Sequence, residues 1–302
     1  MKKTLFISVC LIWGTTWFAM AVAGQSIPSL TATALRFMVM SPLLVLLALK
    51  DDVPLLFPQG KLYYMPVIAV FYFAIPFWFM LEGEKYISSG LAAIIFSCMP
   101  ITVMLLSFIV TKQHIQLRKI LALLVTVFSL ASIISIESDI SSTNNFIGIL
   151  LLSVAVLLHG GIYILKQHRL GHIHVLTFSA IPSGIASILL LIAGITMESV
   201  TDIQLTSWLA VFYLGSIAGV GGIVAYFKLN ALVTPFKASL CFLIFPVIAV
   251  ALEAMVTRRS ISSYSLLFTL PLASGIYLLI KPEHSMHKVL SIEHQVNKDT
   301  HT

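Results

Sequence analysis

The sequence predicts an all-α polytopic membrane protein with ten transmembrane helices, and three observations lead to that prediction. Hydrophobic residues make up 59% of the 302 residues and charged residues only 10%, against roughly 45–50% and about 25% in soluble domains. The apolar residues fall in runs of about 20, the length that a helix needs to cross a hydrocarbon core ~30 Å thick. The chain also repeats itself at a fixed spacing, as described below.

Ten apolar stretches can be placed along the chain. They are residues 4–24, 30–49, 64–82, 88–110, 118–136, 146–165, 174–195, 207–228, 236–256 and 262–281. These runs are continuous, whereas the strands of a membrane β-barrel alternate in polarity over about ten residues. The first run could be a cleaved signal peptide, but it is longer than the roughly 7–15 apolar residues of such a signal. We therefore expect it to be retained as a helix.

The basic residues indicate the orientation of the chain. With a cytoplasmic N-terminus, only Lys85, Arg258 and Arg259 of the 18 Lys and Arg lie in external loops, and Arg36 lies within a span. This distribution follows the positive-inside rule, so we expect both termini in the cytoplasm. The net charge of +6 then reflects topology and gives no reason to expect a nucleic-acid partner. The polar tail, residues 282–302, is expected to be disordered, and its histidines fit no standard metal site.

A shift of 146 positions lays the second half of the chain over the first. Residues 92–115 then match residues 238–261, with Pro100 over Pro246, and the same shift places His159 over Trp13. We interpret this match as an internal repeat.

Each repeat, residues 1–136 and residues 146–281, contains five predicted spans. Because five is odd, the second repeat must enter the membrane from the opposite face. Inverted repeats are typical of secondary transporters, whose substrate site lies between the two halves near the middle of the bilayer.

Several segments resemble a known family. IWGTTWFAM followed by PSLTATALRFMVMSPLL resembles the opening of the EamA-type transporters of the drug/metabolite transporter superfamily, with Trp-Gly in the first helix and Arg-Phe in the second. KYISSGLAAIIFSCMPITVML and NALVTPFKASLCFLIFPVIAV resemble the family's fourth and ninth helices. The resemblance spans about residues 5–281. It implies an inner-membrane transporter, often an exporter of amino acids or other metabolites, without an ATP-driven domain. Lys112-Gln113 and Arg258-Arg259 replace the Gly-Glu pair that usually ends those helices, so no role for that acid is expected here.

Polar and aromatic side chains predict a substrate site between the halves. Trp13, Thr16 and Met20 share one face of the first helix, as His159, Tyr163 and Lys166 share one face of the sixth. In the third span Trp78 either lines the same space or faces lipid. The predicted substrate-binding residues are Trp13, Thr16, Trp78, His159, Tyr163 and Tyr226. Prolines within the spans are predicted to kink helices beside this site: Pro76, Pro100 and Pro246.

Three ionisable residues, Arg36, His159 and Glu253, lie within predicted spans. Such groups cost about 2.5–3.5 kcal/mol each on insertion scales and usually face the bundle interior or a wet cavity. Arg36 and Glu253 share a leaflet, so either they pair as an external gate or each reaches the interface separately. His159 either carries a coupling proton, hydrogen-bonds the substrate, or joins two helices.

The sequence thus predicts a secondary transporter of small organic solutes in a bacterial-type inner membrane, driven by proton exchange or by the solute's own gradient. It is expected to act as a monomer or homodimer, without a cofactor or metal. Cys10, Cys98 and Cys241 are scattered in apolar runs and are expected to be packing residues. The alternatives are an integral-membrane enzyme, a lipid-handling protein and a non-transporting scaffold. An enzyme would need a cluster of acids or histidines near one interface, and the spans hold few.

Overall fold

The computed structural model describes residues 2–87, 92, 95–112, 116–137, 145–200, 202–257 and 262–280, and all regular structure within these ranges is helical. Among these residues, six helices are long and apolar enough to cross a membrane. They are Lys2–Ala23, Ser29–Lys50, Tyr64–Gly83, Phe146–Arg169, Val175–Met197 and Leu205–Leu232. Shorter apolar helices cover Ile95–Val110, Pro235–Ala249 and Leu267–Leu279.

The helical segments follow the predicted stretches closely. They are α1 (Lys2–Gly14), α2 (Thr16–Ala23), α3 (Ser29–Lys50), α4 (Tyr64–Ile68), π1 (Ala69–Ala74), α5 (Ile75–Gly83), α6 (Met99–Thr111), α7 (Leu117–Glu137), α8 (Asn145–Arg169), α9 (Val175–Met197), α10 (Leu205–Tyr213), π2 (Leu214–Gly221), α11 (Gly222–Leu232), α12 (Pro235–Ser239), α13 (Cys241–Thr257) and α14 (Ser263–Ile280). The sixth stretch, predicted to end at residue 165, continues to Arg169 because basic residues suit the last turn of a helix. The predicted tail, residues 282–302, lies outside the described residues.

Two membrane-length helices change their hydrogen-bond register halfway along. The helix Tyr64–Gly83 contains the π-helical segment π1, and the helix Leu205–Leu232 contains π2. The 146-residue shift moves residues 69–74 onto 215–220, which lie inside π2. π-Helical segments are rare insertions in α-helices and are frequent at functional sites. Each of them rotates the residues that follow around the helix axis, relative to an uninterrupted α-helix.

The predicted kink prolines occupy different positions in their helices. Pro76 lies in the first turn of α5, directly after π1, and Pro100 lies in the first turn of α6. Both prolines nevertheless lie inside longer apolar helices, Tyr64–Gly83 and Ile95–Val110, so each removes a hydrogen-bond donor from the helix interior. Pro246 lies inside α13, where its ring removes one helical hydrogen bond.

The helix contacts between the two halves come in equivalent pairs. Helix α1 packs against α11 and α13, and α8, which follows it by 146 residues, packs against α5 and α6. Helices α3 and α9 pack against each other, as do α7 and α14.

The same correspondence extends to single contacts. If alanine replaced Gly14, its Cβ atom would stand 2.7 Å from Cγ2 of Ile248. If alanine replaced Gly160, its Cβ atom would stand 2.9 Å from Cγ2 of Thr102. Both contacts are related by the 146-residue shift. Each glycine therefore allows a helix of one half to approach a helix of the other half closely, in two equivalent contacts.

Candidate functional site

A central cavity lies where α1, α2, α3, α5, α8 and α11 meet. Its volume is about 40 Å³. Its lining is mainly apolar and aromatic, with few polar groups. The lining residues are Trp13, Thr16, Met20, Arg36, Tyr72, Phe77, Met80, Phe96, His159, Tyr163, Ala218, Ile223 and Phe242. This composition is typical of small-molecule sites, in which a few polar groups fix the orientation of the ligand.

Related positions of the two halves face each other across this cavity. The 146-residue shift pairs Trp13 with His159, Phe77 with Ile223, and Phe96 with Phe242, and all six line the cavity. The two sides differ in chemistry, because an indole in the first half corresponds to an imidazole in the second.

The indole of Trp13 closes one side of the cavity. Its ring centre lies 4.9 Å from that of Tyr226 and 5.5 Å from that of Phe242. Tyr226 in turn lies 4.8 Å from Tyr163. A Cβ atom on Gly222 would stand 2.3 Å from Nε1 of Trp13, so glycine at this position is what leaves room for the indole. The aromatic rings pack in tilted geometries, which their quadrupoles favour over face-to-face stacking.

His159 lies on α8 inside an aromatic cage. Its side chain is 4% exposed, and its ring centre lies 5.1 Å from those of both Tyr72 and Phe77. The ring of Tyr163, one turn further along α8, stacks at 6.1 Å. Within the described residues, Nε2 of His159 has no hydrogen-bond partner.

Arg36 reaches the cavity from the middle of α3. Helix α3 packs closely against π2 at this point. If alanine replaced Gly215 of π2, its Cβ atom would stand 2.5 Å from the Arg36 carbonyl oxygen. The side chain is 6% exposed, and its guanidinium carbon lies 4.4 Å from the centre of the Phe77 ring. Nη1 donates a long hydrogen bond of 3.9 Å to the sulfur of Met20.

Three buried polar atoms at this site lack a hydrogen-bond partner in the part of the chain that the structure describes. They are Nε of Arg36, Nε2 of His159 and the hydroxyl oxygen of Tyr226. A buried polar group without a partner costs about 1–3 kcal/mol, and more if it is charged. Such groups usually find a partner in bound water or in a ligand.

A second cavity connects this region to one end of the helix bundle. It is lined by Met20, Ala21, Gly24, Gln25, Ile27, Ser29, Leu81, Glu84 and Lys85. Met20 lines both cavities, so its side chain and the Arg36 guanidinium that contacts it separate the central cavity from this end of the bundle.

A polar cluster ties three helices together beside the second cavity. The carboxylate of Glu198 accepts hydrogen bonds from the backbone N–H groups of Leu30 and Thr31, both at 2.9 Å, and from the Thr31 hydroxyl at 2.8 Å. It therefore caps the start of α3 from the end of α9. The hydroxyl of Ser29 contacts both Glu198 and Glu82, and Glu82 forms an ion pair of 2.7 Å with Lys85.

Lys166 lies near the C-terminal end of α8. Its ammonium group donates hydrogen bonds to the carbonyl oxygens of Leu170 at 2.7 Å and Ile173 at 2.6 Å. The same group lies 5.6 Å from the centre of the Phe178 ring. Lys166 thus caps the C-terminal end of α8 and does not reach the central cavity.

The structure brings together most of the predicted binding residues. Trp13, Thr16, His159 and Tyr163 line the central cavity, and Tyr226 contacts its wall. Trp78 is not among the lining residues, and its ring lies 5.1 Å from that of Phe79.

Of the two residues of the predicted gate, Arg36 lies at the cavity. The side chain of Glu253 is not among those that the structure describes. Within those described, no carboxylate forms an ion pair with Arg36. Their pairing therefore stays a prediction.

Sequence reasoning missed four aromatic residues of the lining: Tyr72, Phe77, Phe96 and Phe242. The match of Phe96 with Phe242 under the 146-residue shift could have identified that pair. Tyr72 lies within π1, and Phe77 lies five residues further along in α5; the wider turn of the π-helix brings both to the cavity. No pattern in the amino-acid sequence indicates this change in register.

Several membrane-length helices surround an internal cavity lined by polar and aromatic side chains. This is the architecture of a polytopic membrane protein with a central binding site. The chain belongs to the EamA-like transporter family, whose model matches residues 3–135 and 146–281. This match confirms the predicted family, and the protein is a multi-pass membrane transporter. The family implies a small-molecule substrate and a lipid bilayer as surroundings.

Relatives with similar sequences extend over nearly the whole chain. Protein PagO of Salmonella typhimurium is 41% identical over 91% of this chain and 91% of its own length. An uncharacterized transporter of Buchnera aphidicola subsp. Schizaphis graminum is 39% identical over 92% of this chain and 93% of its own. One solved crystal structure has the same fold, with a TM-score of 0.74 and 15% identity, covering 92% of this chain and 96% of its own.

Proposed function

We propose that the protein is a secondary transporter that exports amino acids or related small organic metabolites across a bacterial inner membrane. In this proposal ten membrane helices form two inverted halves, residues 1–136 and 146–281, and residues 282–302 form a cytoplasmic tail. Three observations support the arrangement: the 146-residue repeat, the two matches of the family model, and the excess of Lys and Arg in the segments assigned to the cytoplasm.

The observation that carries the proposal is the central cavity. Helices of both halves contribute to it, and it combines an aromatic lining with buried polar atoms that lack a partner among the described residues. A site of this kind between two related halves is the expected location for the substrate of a transporter that works by alternating access. In that mechanism the substrate contacts Trp13, Thr16, His159 and Tyr163.

Alternating access requires each end of the cavity to open in turn. The end near Ser29 is closed by the Met20 side chain and by the polar cluster that Glu198 and Glu82 form around Ser29. The other end is held by the hydrogen bonds of Lys166. In the proposed cycle these two sets of contacts break and form alternately as one half of the bundle rocks against the other.

His159 is the proposed coupling residue. An imidazole changes charge within the physiological pH range, and this one lies in the cavity with one ring nitrogen unpaired among the described residues. It could therefore accept a proton when the substrate leaves. A neutral His159 that only hydrogen-bonds the substrate would give transport without proton coupling.

The test is uptake by proteoliposomes of labelled amino acids, nucleosides and aromatic metabolites, with and without a pH gradient. The native protein is compared with His159→Ala and with a matched control, His168→Ala, because His168 is exposed on the same helix. We expect one solute class to move, driven by the gradient in the native protein and in His168→Ala, and not in His159→Ala. Equal flux in all three proteins would contradict a coupling role for His159. If the native protein moved none of the solute classes, the proposed function would be contradicted.

A further inference from the structure

The charge of Arg36 has no counterion in the part of the protein that the structure describes. The guanidinium group touches the Phe77 ring and the Met20 sulfur, and Nε has no hydrogen-bond partner there. No Asp or Glu occurs among the residues that line the central cavity. The cavity therefore presents one cation in a lining without a carboxylate.

An arginine that is buried in this way requires an anion. A charged group in a low-dielectric environment is costly unless it is paired and hydrogen-bonded. The planar guanidinium presents its N–H donors as a fork that matches the two oxygens of a carboxylate. The ring of Phe77 covers one face of the guanidinium, so that its edge remains for a ligand.

The remaining lining indicates the rest of the ligand. Trp13, Phe96 and Phe242 provide an apolar surface, and Nε2 of His159 and the hydroxyl of Tyr226 provide two further polar atoms. One cation balances one negative charge. In a ligand with a single carboxylate and an apolar or aromatic body, the carboxylate pairs with the Arg36 guanidinium and the body packs against the apolar lining. A dianion would leave one of its charges unpaired.

We propose that the substrates of this protein are small monocarboxylates with an apolar or aromatic body, and that Arg36 binds their carboxylate. The inference rests on the proposed transport function and narrows it, because it excludes amines and neutral analogues as good substrates. The second cavity, which Met20 separates from the site, is the route by which the carboxylate leaves Arg36 during export.

The experiment is a matched series of ligands tested on the purified full-length protein in lipid nanodiscs. Two bodies, benzyl and isobutyl, are each presented as four compounds. They are the simple acid (3-phenylpropionate, 4-methylpentanoate), its neutral amide, the amino acid (phenylalanine, leucine), and the corresponding amine. Binding is measured by calorimetry and by the shift of the melting temperature. We expect the simple acids to bind about ten- to a hundredfold more tightly than the amides and amines, as the loss of one charge-assisted hydrogen-bond pair would give. The amino acids, whose ammonium group meets no carboxylate in the described lining, should bind less tightly than the simple acids.

Two variants locate this preference at Arg36. Arg36→Gln should abolish the preference for a carboxylate, and Arg36→Lys, which keeps the charge without the fork, should retain part of it. Arg118→Gln removes the same charge from an exposed position and should leave the preference unchanged. Should Arg36→Gln not fold, the ranking of the four compounds on the native protein still tests the inference.

The outcomes separate the inference from the proposed function. Amides or amines that bind as tightly as the acids, or acids that bind Arg36→Gln as tightly as the native protein, would overturn the role of Arg36 and leave solute transport standing. If none of the compounds binds the native protein, the carboxylate inference is overturned, and transport of another solute class in the proteoliposome assay would show that the proposed function survives without it.

Discussion

The guanidinium carbon of Arg36 lies 4.4 Å from the centre of the Phe77 ring. The same ring lies 5.1 Å from the His159 imidazole, so Phe77 stands between the cation and the histidine of the cavity. A cation over an aromatic face in a desolvated site is stabilised by about 2 kcal/mol. Phe77 therefore fixes the position of the Arg36 side chain.

Replacing Phe77 by leucine keeps most of the volume and removes the aromatic face. We expect Phe77→Leu to lower the initial rate of transport by roughly ten- to thirtyfold, because about 2 kcal/mol of orientation is lost. Trp78→Leu, the neighbouring change outside the lining, should lower the melting temperature and reduce transport less. Rates in proteoliposomes, normalised to reconstituted protein, measure both. Similar rate losses in the two variants would contradict the special position of Phe77.

The close contact of Gly222 with Trp13 gives a second prediction. In Gly222→Ala the new methyl group would overlap Nε1 of Trp13 and move the indole toward the cavity. We expect weaker substrate binding, by about ten-fold if the overlap costs 1–2 kcal/mol. Gly221→Ala is the control, since its Cβ atom would meet only Cδ1 of Ile12, at 3.9 Å. Native-like binding in both variants would show that the Trp13 position does not matter for the substrate.

The adjacent glycines of α8 are expected to differ in their effect on stability. A Cβ atom on Gly160 would stand 2.9 Å from Thr102, whereas one on Gly161 has no atom within 4 Å. Gly160→Ala should therefore destabilise the protein by about 1–3 kcal/mol through overpacking, and Gly161→Ala should change stability by less than about 1 kcal/mol. Thermal unfolding in detergent compares the two, and an equal shift in both would argue against close packing of α6 and α8.

The cap that Glu198 forms on α3 can be removed. Glu198→Ala deletes the acceptor of two backbone N–H groups and one hydroxyl, and we expect a loss of about 1–3 kcal/mol. The control is Asp202→Ala, an exposed acid in the same connection. Chemical unfolding of both variants measures the difference. An unchanged stability of Glu198→Ala would mean that water replaces the carboxylate at the helix start without cost.

An exchange of charges tests the gate predicted from the sequence. If Arg36 binds the substrate carboxylate, Arg36→Glu abolishes transport and the additional change Glu253→Arg does not restore it, because position 36 then repels the substrate. Transport is measured for the single and double variants, with surface expression as the control. The result distinguishes substrate binding by Arg36 from an ion pair between Arg36 and Glu253. Recovery in the double variant would instead support an ion pair between the two residues.

Some of the candidate site could be predicted from spacing alone. Trp13 and Thr16, three residues apart on one helix face, and His159 and Tyr163, four residues apart on another, line the cavity as that spacing predicts. For Trp78 the sequence left two alternatives, the cavity or lipid, and in the structure the neighbouring Phe77, which follows π1, lines the cavity while Trp78 does not. A helical pattern with 3.6 residues per turn does not extend across a π-helical segment.

The sequence by itself determined that this is a helical membrane protein, which family it belongs to, and where its helices lie. Long apolar runs permit little else in a bilayer, since every backbone polar group must find its partner within a helix. Only the tertiary structure decided which side chains meet. The contacts of Arg36 with Phe77 and of Gly222 with Trp13 join distant segments, and they depend on the rotation of each helix about its axis. Packing against neighbouring helices sets that rotation, and the sequence of one helix does not encode it.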